Sequence, residues 1–185
     1  PMVIVFLRWA IVSSFLFTLR APTIVISLPS LNGKIVWVFL MGGIGYTGFN
    51  SLFYIAAQST TAINLGIIQG VMPAMILVGS VIIFREKTNI IQMIGLVLTF
   101  LGVLILVSKA DLNSLLLLTL NFGDLIMFVS CFLYAGFTMG LRFKPSIDPL
   151  VLMFFFSVTA LFSSIGCLSM EHYFETILRR YFNWI

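Results

Sequence analysis

Charge is the scarcest property of this sequence. Asp, Glu, Lys and Arg together make up 9% of its 185 residues, whereas a soluble domain carries about 25%. Hydrophobic residues make up 61%, and no water-soluble core could bury that much apolar surface, so lipid must solvate part of it. The composition therefore excludes a soluble domain and predicts an all-α, polytopic membrane helix bundle. The net charge of +4 is no nucleic-acid signal, because the basic residues stand singly between apolar runs.

Residues that usually carry chemistry are also rare. The two cysteines, Cys131 and Cys167, lie inside apolar runs, and the single histidine, His172, lies near the end. This spacing predicts no disulfide, no metal site and no cofactor. No Asp, Glu or His falls in the middle of a predicted span, so paired acids or a nucleophile with a base are missing. The sequence therefore favours a non-enzyme, and facilitated movement or exchange over carboxylate-based proton coupling.

Apolar runs separated by polar or proline-containing segments predict six transmembrane helices. The first is followed by a connection over residues 20–34, where Pro22 and Pro29 act as breakers. Residues 171–185 place apolar and charged residues on opposite helical faces, which predicts an interfacial amphipathic tail or a truncated end. The predicted spans cover residues 2–19, 35–57, 62–84, 90–108, 122–141 and 150–168.

Basic residues fall in alternate loops, which sets the orientation of the spans. The positive-inside rule places these loops in the cytoplasm, so the first span runs from outside to inside. The sequence starts at Pro1 without a basic n-region or a small-residue cleavage site. We therefore expect a further helix to precede it in the intact protein. The residues that set this orientation are Arg20, Lys34, Arg85, Lys87, Arg142 and Lys144.

A helical hairpin over residues 42–87 organises the sequence, and its first arm carries a polar stripe. Tyr46, Asn50, Tyr54 and Gln58 recur every four residues and so share one helical face. A polar face towards lipid is costly, which predicts that Tyr46, Asn50 and Tyr54 line a wet cavity. The alternative is hydrogen bonding that holds helices together. Gln58 lies at the outer end and is expected to cap a loop.

Arg8 is the strongest single candidate for a functional residue, since its charge lies roughly 10 Å below the start of the first span. One interpretation is a cation that faces the cavity and binds an anion or carboxylate. The other is a structural arginine that reaches the membrane surface or bonds backbone carbonyls. Both stay open from the sequence.

Polar residues elsewhere in the spans give weaker signals. Asn64 and Gln69 on the third span are candidates for the same solute path, and Pro73 predicts a kink there, either a hinge or a static bend. Glu86 at the end of that span and Asp124 in the first turn of the fifth are predicted to be structural caps.

Several short motifs, taken in order, resemble the EamA family of the drug/metabolite transporter superfamily. They are Gly45-Tyr46-x-Gly48-Phe49-Asn50, Ser59-Thr60-Thr61-Ala62, Gln69-Gly70-x-x-Pro73 and Gly123-Asp124-Leu125. The resemblance implies a fold of two inverted five-helix repeats, of which this chain would supply helices two to seven. Residues 1–110 would then be the first repeat without its first helix, 111–121 an external loop, 122–170 the start of the second repeat, and 171–185 the tail.

The same resemblance implies a multi-pass transporter of the bacterial inner membrane. Such a protein moves small organic metabolites, such as amino acids or drug-like solutes, by alternating access, with efflux as the favoured direction. Its partners are the lipid bilayer and the solute, with no nucleic acid. Two alternatives stay open: a non-transporting remnant, and a half-unit that works only as a homo-oligomer.

Overall fold

The computed structural model describes residues 2–107 and 121–181, and the regular secondary structure of these residues is helical. Short 3-10 turns follow the first and the seventh α-helix, at Leu28–Leu31 and Leu141–Phe143. A π-helical segment, Gly42–Gly48, joins the second and third α-helices. The α-helices are α1 (Met2–Ser27), α2 (Ile35–Met41), α3 (Phe49–Ala57), α4 (Ala62–Gly70), α5 (Met72–Phe84), α6 (Ile90–Val107), α7 (Phe122–Gly140) and α8 (Pro149–Tyr181).

Within the described residues, five helical stretches are long and apolar enough to cross a membrane, which confirms the predicted polytopic helix bundle. The fourth predicted span is helical as α6, whose 18 residues, Ile90–Val107, are predominantly apolar. The five longer stretches are Met2–Leu31, Ile35–Ala57, Ala62–Phe84, Phe122–Phe143 and Pro149–Ser169.

The first span is longer than predicted, because Pro22 lies inside α1 and does not end it. The helix kinks at Arg20, whose φ of −132° departs from helical values, and then continues to Ser27. Proline removes one backbone hydrogen bond and so bends a helix. In an apolar environment a bend costs less than abandoning the remaining backbone bonds, so the helix persists.

The sixth span also runs past its predicted end, since α8 continues without a break to Tyr181. Residues 169–181 contain neither proline nor glycine, so nothing in the sequence interrupts the helix there. The amphipathic pattern predicted for residues 171–185 lies largely outside the described side chains. The loop predicted over residues 111–121 lies outside the described residues except for Asn121.

One compact unit consists of the residues up to Ser51 and those from Phe143 onward. Within it, α1 and α8 are antiparallel. The Met2 backbone N–H donates to Glu171 Oε2 at 3.0 Å, and the rings of Phe17 and Phe154 lie 6.0 Å apart. This is the relative direction that an inverted repeat requires of the first and sixth spans.

The second span runs parallel to α8 in the same unit. The rings of Trp37 and Phe156 lie 5.8 Å apart, and further along both helices Thr47 Oγ1 donates to the Ala160 carbonyl at 3.0 Å. Gly42 permits the contact, because a Cβ there would overlap the Thr159 side chain and lie 2.8 Å from the Phe156 carbonyl oxygen.

The other compact unit, Leu52–Arg142, contains α4, α5, α6 and α7. The α4–α5 span and α7 are parallel, because their first turns contact each other and so do the residues just beyond their last turns. Asn64 contacts Asp124 at the start, and Glu86 contacts Arg142 at the finish. Each unit thus combines spans from both predicted repeats.

Candidate functional site

Arg8 and Asn50 form the central contact of the candidate site. Arg8 Nη1 donates a hydrogen bond to Asn50 Oδ1 at 2.8 Å, joining the first span to the second. The Arg8 side chain is exposed in the chain, and Asn50 is half-buried. The two residues that the sequence singled out most strongly therefore lie together in one unit.

The Asn50 amide is fixed at both ends. Its Nδ2 donates to the Tyr46 backbone carbonyl at 2.6 Å, one turn earlier in the chain. Tyr46 lies in the glycine-rich π-helical segment, which departs from the α-helical bonding pattern. The side-chain bond supplies a partner for that carbonyl and leaves Asn50 Oδ1 facing the guanidinium. The π-helical segment was not predicted, and its four glycines, at 42, 43, 45 and 48, are the feature that sets it apart in the sequence.

Aromatic rings flank the same turn of the second span. The Trp9 and Tyr46 rings stack with centroids 4.4 Å apart and planes at 16°. Phe156 of α8 packs edge-on against Tyr46 at 5.7 Å. Tyr46 was predicted to belong to a polar stripe, but its ring contacts other aromatic rings. Its backbone carbonyl accepts the hydrogen bond from the Asn50 amide.

Trp9 has a feature that the sequence analysis missed. The residue is 8% exposed, and its indole Nε1 has no hydrogen-bond partner within the described part of the chain. A buried N–H without a partner costs about 1–3 kcal/mol. The sequence shows only that tryptophan pairs a large apolar ring with a single donor, and not whether that donor finds an acceptor.

Asp124, one of the two residues that the sequence proposed as caps, anchors a polar network in the second unit. Asn121 and Asp124 form a capping box at the start of α7. The carboxylate also accepts from Thr60 Oγ1 and, at 2.8 Å, from Asn64 Nδ2. Asn64 is buried at 6% exposure, and its bond to Asp124 links α4 to α7. Its place in a solute path stays a prediction.

Glu86 follows the Arg85 C-cap of α5 and pairs with Arg142, while its role as a cap stays a prediction. The Arg142 guanidinium also lies 4.6 Å from the centre of the Phe84 ring. Arg85 ends α5 in the left-handed region, with φ of 54°, which turns the chain so that Glu86 follows outside the helix. This ion pair closes the end of the unit opposite Asp124.

The remaining predicted residues also belong to the second unit. Tyr54 is half-buried in α3 and packs edge-on against Phe53 at 5.6 Å. Gln69 is half-buried near the end of α4. Pro73 lies in the first turn of α5, and the third span breaks at Val71, two residues earlier. The helix is therefore interrupted near Pro73, while hinge motion stays a prediction.

Among the described residues, no group of three or more His, Cys, Asp and Glu side chains could hold a metal ion. The chemistry that the first unit offers is hydrogen-bond donation from a guanidinium and an indole beside aromatic surface. Such a surface can bind a solute through polar and stacking contacts.

Several apolar spans with an arginine–amide contact inside them define a multi-pass membrane protein. The model of the EamA-like transporter family matches residues 1–108, which is more than half of the chain. The chain therefore belongs to the EamA-like transporter family.

A curated relative is similar over most of the chain. It is "Uncharacterized transporter YyaM" of Bacillus subtilis (strain 168), 27% identical over 145 residues, which cover 77% of this chain and 47% of that protein. The chain thus spans about half the length of this relative. No solved structure matches the chain.

Proposed function

We propose that the intact protein is a secondary transporter that moves small organic metabolites, such as amino acids or drug-like solutes, across the bacterial cytoplasmic membrane. Membership of the EamA-like family and a relative whose name contains "transporter" support this function. The proposed direction is efflux. The proposed mechanism is alternating access, in which the solute meets one side of the membrane at a time.

The Arg8–Asn50 contact carries the proposal. A charge this deep in an apolar span costs about 2.5 kcal/mol or more unless water or protein solvates it. The bond to Asn50, which Tyr46 holds in turn, fixes the guanidinium at one place on the second span. A costly group held this firmly is better explained by solute binding than by attachment of the helix to the membrane surface. Tyr54, Asn64 and Gln69 are proposed as weaker contributors to the path.

Flux measurements on Arg8→Ala and Asn50→Leu in the intact protein test this function. We expect each change to reduce solute flux at least about tenfold, because each removes one partner of a charge-assisted hydrogen bond. Flux would be followed in proteoliposomes with radiolabelled amino acids and short organic acids. Arg20→Ala is the matched control, since it removes an arginine from the same helix at the kink, away from the Asn50 contact.

Membrane insertion must be measured alongside flux. All three variants should reach the membrane fraction in amounts equal to the parent and elute as one species in detergent. If Arg8→Ala and Asn50→Leu both insert and retain parental flux, the assignment of the solute path to these residues is wrong.

A further inference from the structure

Two hydrogen-bond donors converge on one turn of the second span. Arg8 reaches Asn50, and Trp9 stacks on Tyr46. Residues four apart on a helix lie about 5–6 Å from one another on the same face. The guanidinium and the indole ring therefore lie beside the same short stretch, although they come from adjacent positions of α1.

The indole N–H of Trp9 provides a second observation, which does not depend on the Arg8–Asn50 contact. Trp9 is more than nine-tenths buried, yet its Nε1 has no acceptor among the described residues. Stacking on Tyr46 fixes the ring and thereby the direction of that N–H. A fixed donor that has no acceptor among the described residues is suited to bind an oxygen atom of a solute. Before the solute arrives, the same N–H can bind a water molecule that the solute then displaces.

The chemistry around the two donors selects the charge of the acceptor. Residues 2–19 contain one charged side chain, the Arg8 guanidinium, and no carboxylate, while the Glu171 carboxylate of α8 accepts from the Met2 N–H at the start of the same helix. A planar guanidinium matches a carboxylate better than it matches a neutral carbonyl, and it repels an ammonium group. The aromatic rings of Trp9, Tyr46 and Phe156 supply an apolar surface beside this charge.

We propose that the transported solute carries a carboxylate, which Arg8 binds while the Trp9 indole N–H donates a second hydrogen bond. This inference rests on the proposed transport function and narrows its substrate class. Asn50 is a positioning residue here, because it acts on the solute through the orientation that it gives to Arg8. Solutes whose only charge is positive are excluded by the same arrangement.

Paired solutes test this substrate class. L-Phenylalanine, L-leucine and 3-phenylpropanoate would each be compared with its own primary amide in proteoliposomes that contain the intact protein. The parent should move each carboxylate at least about tenfold faster than its amide, because the charge-assisted bond is lost in the amide. Arg8→Gln should abolish that preference, Arg8→Lys should retain part of it, and Arg20→Gln should leave it unchanged.

Fluorescence gives a readout apart from flux. The carboxylates should change the tryptophan emission of the parent, and Trp9→Phe should lose most of that change while keeping the ring stack. Trp37→Phe is the comparison variant and should keep most of the change, since Trp37 lies nine residues before Tyr46 and packs on Phe156 rather than carrying the proposed donor.

The possible outcomes separate this inference from the proposed function. Flux of the amides equal to or faster than that of the carboxylates overturns the carboxylate proposal and leaves transport intact. A carboxylate preference that survives Arg8→Gln also overturns it. Absence of flux for every member of the panel contradicts the proposed function as well as the substrate class.

Discussion

Asp124 and Asp148 both accept hydrogen bonds at the start of a helix, but Asp124 accepts more of them. Asp148 accepts one bond at the start of α8, from the Leu150 backbone N–H at 2.8 Å. Asp124 accepts from the Asn121 backbone N–H and also from the side chains of Thr60 and Asn64. A carboxylate that serves several donors, one of them the buried Asn64 amide, is harder to replace, because its removal leaves each donor without this partner.

Asp124→Ala should therefore destabilise the protein more than Asp148→Ala does. We expect a loss of about 2–3 kcal/mol for Asp124→Ala, against about 1 kcal/mol for Asp148→Ala, which removes a single cap. Thermal unfolding of both variants in the same detergent measures the difference. Equal losses would mean that the bonds from Thr60 and Asn64 contribute little to stability.

At the scale of single residues, the sequence predicted which polar groups matter better than it predicted their partners. Arg8 was identifiable because a lone charge in an apolar run is costly, and Asp124 because carboxylates favour the first turn of a helix. Their contacts with Asn50 and Asn64 join residues 42 and 60 positions apart. Local patterns carry no information on such pairs. The missing acceptor for Trp9 was equally invisible, because it depends on what surrounds a buried ring.

At the scale of helices, the turn that contains Gly42 and Gly43 shows where close packing is required. A Cβ at Gly42 would overlap the Thr159 side chain and press on the Phe156 carbonyl, whereas a Cβ at Gly43 would meet nothing within 4 Å. Both glycines lie in the π-helical segment that precedes Asn50. The two neighbours thus separate packing from backbone effects.

Gly42→Ala should destabilise the contact between the second span and α8, at a cost of about 1–3 kcal/mol for overpacking. Gly43→Ala should be neutral or slightly stabilising, since alanine favours helix by about 1 kcal/mol over glycine. Thermal unfolding compares the two variants, and flux shows whether displacement of Tyr46 and Asn50 accompanies the loss. Equal stability of both variants would contradict the close approach at Gly42.

Helix positions followed from the sequence more readily than helix ends did. The predicted second and third spans, residues 35–57 and 62–84, coincide with the observed stretches Ile35–Ala57 and Ala62–Phe84. A polar turn and charged residues bound both of them clearly. The first span was predicted too short, because Pro22 bends α1 without ending it. Proline alone does not tell a kink from a stop, since the outcome depends on whether the chain beyond it remains in an apolar environment.

At the scale of the whole molecule, the directions of the helices bear on which ends face the cytoplasm. In the second unit the α4–α5 span and α7 are parallel, with Asn64 and Asp124 at one end and Glu86 and Arg142 at the other. The second of these ends carries the basic loops that the positive-inside rule assigns to the cytoplasm. The turn at residues 58–61 lies at the opposite end of the third span.

Single cysteines in the two loops that flank the third span test this orientation. Ser59→Cys should react with a membrane-impermeant maleimide in intact cells, whereas Thr88→Cys should react only after the cells are opened. Both positions are exposed, so a difference in reactivity reports the side of the membrane rather than burial. The parent, whose Cys131 and Cys167 lie in predicted spans, sets the background. The reverse pattern would invert the orientation of all spans. Arg8 would then lie near the cytoplasmic start of the first span, and a carboxylate solute would meet it from the opposite side.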